Sequence, residues 1–177
     1  MEQTEVRNKI ETAYKKLLKE DSALLEEDVN ERSITHKLAE YLLSEFPGYH
    51  VDCEYNRNLS DPKLLVTWDK QISELEQELR KADTTDKRKR FIERVLNDGL
   101  TVYPDIIIHH RGTKDNFVVI EAKKTSNNED DESKLKAYKQ DINYKYAYFV
   151  QIPVRNDFKN FTEDTLKEYI KEVTQSE

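Results

Sequence analysis

Cysteine is nearly absent. Cys53 stands alone, so no internal disulfide can brace the chain, and a reducing compartment is expected. Glycine and proline are scarce, at three and four residues, which suits long helices better than an all-β architecture built on tight turns. No apolar run approaches the roughly 20 residues of a membrane-spanning helix. The opening residues are polar and charged, so no secretory signal is expected, and the reading is a cytoplasmic protein with no membrane partner. Basic excess is missing as well. A net charge of −7 argues against tight, unaided binding to a phosphate backbone, which attracts lysine and arginine, although it leaves room for a local basic patch. There is no phosphate-cradling Gly-rich loop, no zinc-finger spacing and no nucleophile elbow.

What the chain does have is abundant charge around clear runs of Val, Ile, Leu and aromatic residues. This reads as one globular domain over residues 1–177 with a heavily charged skin. The most informative stretch is Val102 to Lys124. Ile106-Ile107-Ile108 and Phe117-Val118-Val119-Ile120 are strand-forming runs, and Arg111 to Asn116 between them is turn chemistry. Asp105, Glu121, Lys123 and Lys124 interrupt these core-like strands. Alternation puts Glu121 and Lys123 on one face and Ala122 on the other. A hairpin symmetric about Thr113 would set Asp105 opposite Glu121, on a shared face. Two carboxylates and an ammonium would then meet beside a buried sheet. Carboxylates that close repel each other, so a cation is needed to hold them, and a hard divalent ion is the economical choice.

Around this pair the expected order is helix and strand mixed. Thr4 to Leu18 has helical spacing at Val6, Ile10, Ala13 or Tyr14, and Leu17. Asn30 is the expected N-cap of a helix to about Phe46, with Ile34, Leu38, Tyr41 and Leu42 inward and Pro47-Gly48 as its stop. Glu31 falls on that inward side in the first turn. Either the helix dipole or a view into the charged site accounts for an acid there. Tyr49 to Asn56 alternates as a half-buried strand, and Leu64-Leu65-Val66 is a short apolar piece of open type. Asp69 to Asn97 steps as two charged helical arms broken at Asp83 to Asp86, an antiparallel helical hairpin inserted between strands. Ser126 to Glu132 reads as an acidic loop, about Asp130 to Asp141 as a helix carrying Leu135 and Tyr138, and Tyr144 to Val154 as a buried strand. Asn160 with Glu163 signals a capping box for a last helix burying Leu166, Tyr169, Ile170 and Val173.

Pro104-Asp105, followed sixteen positions on by Glu121-Ala122-Lys123 at the end of an apolar strand, resembles the PD-(D/E)xK nuclease superfamily. The resemblance spans roughly Asn30 to Val150. It implies an α/β (α+β) fold, a restriction-endonuclease-like mixed central sheet flanked by helices, here with the 69–97 hairpin inserted. It implies Mg2+-dependent hydrolysis of phosphodiester bonds in nucleic acid, DNA before RNA, with Mn2+ able to substitute. Asp105 and Glu121 match the family's metal ligands, helped by the backbone carbonyl of Ala122. Lys123 would orient or deprotonate the attacking water, and Glu31 matches the helical glutamate that completes the metal site in many members. The insertion departs from the most compact members and leaves the shape of the substrate groove open.

The chemistry of these residue types agrees. Phosphodiester hydrolysis needs a nucleophilic hydroxide, neutralised phosphate charge and help for the leaving oxygen, and Mg2+ on one or two carboxylates can supply them. A nearby lysine can stabilise the equatorial oxygens. The plain alternative is a salt-bridge cluster at strand ends. A second functional reading is a catalytically silent nucleic-acid- or protein-binding module on the same scaffold, acting with a protein partner or as a homodimer. Other residues carry less. His109 and His110 are adjacent on a strand and face opposite sides, so they cannot share an ion. His36 reads as exposed or packing, and Cys53 as a small core residue. Lys87-Arg88-Lys89-Arg90 reads as a phosphate contact or a solvated helix face, and Lys134, Lys136 and Lys139 as groove-lining or solvated. Tyr144, Tyr146 and Tyr148 share a strand face, which suggests packing before base stacking.

Overall fold

A computed structural model of the chain describes residues 1–58, 61–63, 65, 67–98, 102–124 and 129–174. Helices α1 (Gln3–Glu20), α2 (Ser22–Glu26) and α3 (Glu31–Glu45) come first. Strand β1 (His50–Cys53) is followed by two short strands, β2 (Arg57–Asn58) and β3 (Asp61–Pro62), then by α4 (Asp69–Lys81) and α5 (Thr85–Asp98). The centre is β4 (Ile106–His109), β5 (Asn116–Lys123), α6 (Glu129–Ile142) and β6 (Tyr146–Gln151). Helix α7 (Arg155–Lys159), a 3-10 turn at Glu163–Thr165, α8 (Leu166–Tyr169) and β7 (Ile170–Glu172) complete the order. The fold is mixed α/β. Its main sheet has five strands in the order β1-β4-β5-β6-β7, and β2 pairs separately with β3. Only the β5–β6 pair of the main sheet is parallel, and α6 is the crossover such a pair requires.

Both faces of the sheet are covered, which explains why the isoleucine and valine runs do not alternate with polar residues. Ile106, Ile108, Val118, Ile120 and Ala122 share a core with Val6, Ile10, Tyr14 and Leu17 of α1 and Ile34, Leu38 and Leu42 of α3. Ile107, Val119, Ala147 and Phe149 turn the other way, onto Leu135, Tyr138 and Ile142 of α6. In α1 both Ala13 and Tyr14 are buried, and the Tyr14 hydroxyl donates to the Gln151 carbonyl at 2.7 Å. Asn30 caps α3, its side chain accepting the Arg32 N–H at 2.8 Å. Tyr41, expected fully inside, is half-buried and donates to Asp21 Oδ2 at 2.5 Å.

Several expectations need correction. The last helix is a single turn, α8, after which Ile170–Glu172 joins β6 as an edge strand. The β6 edge offers unpaired backbone groups, and a β-branched residue at 170 suits pairing with it better than continued helix. The capping box is formed by Thr162 and Thr165, not Asn160 and Glu163. Tyr146 and Tyr148 do face the α1–α3 side, but Tyr144 precedes the strand and packs against Tyr138 on the other. Strand β1 stops at Cys53, short of the expected Asn56, because Glu54 takes a positive φ of 50°. The expected arms at 69–97 are helical, as α4 and α5. Leu64, Val66, Gly99, Ser126 to Asn128 and the side chains of Ile92, Val95 and Leu96 lie outside the described residues. Among the described residues no helix is long and apolar enough to cross a membrane.

Candidate active site

The site begins with strand register. Ile106 pairs with Ile120, Ile107 with Val119 and Ile108 with Val118, a ladder centred on Thr113 that shifts only beyond Ile108. One step further along the same register, Asp105 comes beside Glu121. Asp105 Oδ2 accepts the Ala122 N–H at 2.8 Å, fastening the acid to the neighbouring strand. Side chains at 105, 107, 119, 121 and 123 alternate onto the α6 side of the sheet.

Burial then sets the electrostatics. Glu121 is 3% exposed, and burial pushes its carboxyl up to about 7 against the pull of Lys134, with Asp105 adding to the rise. Burial likewise raises Asp105 above its ordinary value, aided by Glu31 and opposed by the Ala122 N–H, Lys134 and Lys123. Glu121 therefore senses the charge of Asp105, as a neighbouring carboxylate does, while Asp105 senses that of Glu31.

Helix α6 answers this charge. Lys134 Nζ donates to Glu121 Oε2 at 2.8 Å, and Lys123 Nζ is paired with the buried Asp131. Strand and helix thus exchange an acid and a base each. Glu121 Oε1 is buried with no hydrogen-bond partner. The Tyr138 hydroxyl lies beside Glu121, and burial together with the Glu121 charge pushes that hydroxyl well above its usual range.

Glu31 lies at the rim. It is exposed in the first turn of α3, and its Oε2 accepts the Lys124 N–H at 3.0 Å. The helix end does look towards the end of β5, so the dipole is not the sole account of this acid. Lys124 points away from α6. Its ammonium is tied to Asp28 Oδ1 at 2.7 Å and to the Val29 carbonyl, clamping the approach to α3 against the strand end. A cleft of about 410 Å³ opens beside the first turns of α3, lined by Glu31, Arg32, Thr35 and His36 with Cys53 at the end of β1 and Asp105 before β4.

The structure brings Asp105, Glu121 and Ala122 together, sets Glu31 at the mouth, and holds Lys123 on the same face but engaged by Asp131. Among the described residues no three His, Cys, Asp or Glu side chains converge tightly enough to hold an ion between them. A Mg2+ site does not require that, since this ion takes one or two protein carboxylates and completes its shell with water and phosphate. Two neighbouring carboxylates, one with a buried oxygen lacking a partner, suit a hard cation in donor chemistry. The sequence does not single out Asp131 and Tyr138 of α6 as site residues, and Lys134, read as groove-lining or solvated, is bonded to Glu121. Their signal was the spacing at 131, 134 and 138, which places all three on the stripe carrying Leu135.

Several other candidates have partners of their own. His109 is buried and its Nε2 lies 2.8 Å from Asp52 Oδ2, while Arg111 Nε donates to the same oxygen at 2.7 Å. His110 Nδ1 sits 2.6 Å from Asp115 Oδ2. Cys53 is half-buried, and burial pushes its thiol up to about 11, away from reactivity. Lys87 pairs with Asp83 at 2.8 Å and Lys136 with Glu132 at 2.7 Å, both near the surface. No protein-family model, characterised protein or solved structure matches the chain, so these residues alone carry the functional reading.

Proposed function

We propose that the chain is a Mg2+-dependent nuclease, hydrolysing phosphodiester bonds of nucleic acid, DNA before RNA, from a PD-(D/E)xK-type site on a restriction-endonuclease-like scaffold. One observation carries the reading: Asp105 and Glu121 sit side by side at adjoining strand ends, both with raised carboxyls, and Asp105 lines an open cleft. Carboxyls perturbed by burial and by charged neighbours beside a cleft are the mark of a functional site. Asp105, Glu121 and the Ala122 carbonyl would hold Mg2+, or Mn2+ in its place, with Glu31 supporting the site from the rim through the ion's water shell. The bound ion supplies an activated water and charge neutralisation at the phosphate.

The chain's own residues do the rest. The Ala122 N–H fixes the orientation of Asp105. Asp131 holds Lys123 on the α6 face, where its ammonium can orient water or stabilise the equatorial phosphate oxygens. The cleft beside Glu31 and Asp105 offers space for the substrate backbone. The rival reading is a silent binding module, favoured by Lys134, which already neutralises the buried Glu121, and by Asp131, which already engages Lys123.

The deciding experiment measures cleavage of labelled single- and double-stranded DNA and RNA in Mg2+ and Mn2+. The expected result is metal-dependent cutting, reduced at least about a hundredfold in Asp105→Ala and Lys123→Ala. Equal product from wild type and Asp105→Ala would overturn the proposal. Metal binding by calorimetry without turnover would favour the silent module.

A further inference from the structure

The contact between Lys134 and Glu121 is poorly explained as a stabilising bridge. Both groups are withdrawn from water, at 17% and 4% side-chain exposure. Taking two charges out of water generally costs about as much as their attraction returns, unless the remaining lone pairs are also satisfied. Here Glu121 Oε1 is left without a partner. The lysine is nevertheless seated with care: its ammonium lies 5.7 Å from the ring centres of both Trp68 and Tyr138. A second cation, Lys123, is already committed to Asp131. Among the described residues the cation bonded to the buried Glu121 is therefore Lys134, mounted on a flexible four-carbon stem that can swing away.

We propose that Lys134 is a displaceable counter-ion: it stands in for the divalent cation on Glu121 and gives way when cation and phosphodiester arrive together. The inference rests on the metal-site reading of Asp105 and Glu121. A metal arriving alone must expel the ammonium from its carboxylate and leave two positive charges close together with no anion between them. A phosphodiester arriving with it accepts the freed ammonium and removes that penalty. Lys134 is thus a positioning residue that links metal affinity to substrate affinity. Such a link is reciprocal, and its usual size is about 5- to 150-fold.

The test is Mn2+ binding to the full chain, followed by electron paramagnetic resonance. It is run with and without a cleavage-resistant phosphorothioate DNA oligonucleotide, with the oligonucleotide's own Mn2+ uptake subtracted. Wild type is expected to bind Mn2+ weakly alone and about tenfold more tightly with the oligonucleotide. Lys134→Gln keeps a hydrogen-bond donor for Glu121 without the charge. It is expected to bind Mn2+ about tenfold more tightly alone and to lose most of the enhancement. Lys136→Gln, at an exposed pair, should behave as wild type. Unchanged Mn2+ affinity and enhancement in Lys134→Gln would overturn the inference while leaving the metal site standing. Wild-type binding that the oligonucleotide does not alter would overturn it as well, without need of a variant. No Mn2+ binding under any condition would remove the metal site itself, and the counter-ion role with it.

Discussion

Across the two central strands, Asp105 Oδ2 accepts the Ala122 amide hydrogen at 2.8 Å. One side chain therefore serves two ends, closing a backbone donor that the strand ladder leaves open and presenting a carboxylate beside Glu121. The two roles separate by substitution. Asp105→Asn retains a carbonyl acceptor for the amide and removes a charge that burial already disfavours. Its stability should stay within about 1 kcal/mol of wild type. Asp105→Ala strands the amide and should cost about 1–3 kcal/mol. Both should lose metal-dependent cleavage. Urea denaturation beside the cleavage assay checks this, and full activity in Asp105→Asn would reduce the acid to a strand clip.

The sheet centre was legible because its information is local. Two β-branched runs with a polar turn between them fix both strands, and the turn fixes a register about Thr113 that the ladder from Ile106 to Ile108 follows. The side-by-side placement of Asp105 and Glu121 follows from that register alone. Lys123 was placed on the right face by alternation, but its partner was not visible. Asp131 and Lys134 sit among many charges on α6, and only the sheet's position tells which of them turn inward.

Long-range partners explain the other differences. Asp52 reads as a solvent-side residue in an alternating strand, yet His109 and Arg111 draw it in from a distant strand and loop. Leu166, Tyr169, Ile170 and Val173 fit helical spacing, and a short run of that kind is ambiguous. The deciding term is the free edge of β6, which only the assembled sheet supplies.

The same Asp52–His109 contact predicts how the fold responds to acid. Burial lowers His109 below its ordinary value, more than Asp52 raises it. Burial alone would raise Asp52, but the Arg111 and His109 hydrogen bonds outweigh it and hold the carboxyl below its usual range. Both native-state values lie below those of the unfolded chain, so the unfolded chain takes up protons first and stability falls with pH. The His109 contribution begins to be lost below about pH 6.5, and that of Asp52 below about pH 3.9. The urea midpoint should therefore drop between pH 7 and pH 5. In His109→Asn, whose amide can still donate to Asp52 without titrating, that drop should be smaller. An identical pH profile in the variant would assign the acid sensitivity to other groups.

Asp131 offers the sharpest test of how the site is organised. Its carboxylate is buried, at 5% side-chain exposure, and grips Lys123, whose own side chain is 35% exposed. It stands on α6, one turn before Lys134, and not on the strand ends that carry the two acids proposed to hold the metal. If Lys123 acts from a fixed position, loosening its anchor should slow the chemistry without weakening metal binding. Asp131→Asn keeps an acceptor for the ammonium but removes the charge that orders it. It should lower kcat by about tenfold to a hundredfold, the scale of a misplaced catalytic group, while KM changes little. Mn2+ affinity should stay within about twofold of wild type, because Asp105 and Glu121 are untouched. Lys123→Ala should show the same separation with a larger fall in kcat. Single-turnover cleavage and Mn2+ titration of the same preparations decide the matter. A parallel loss of metal affinity in Asp131→Asn would make this residue part of the cation site and not the support of its lysine.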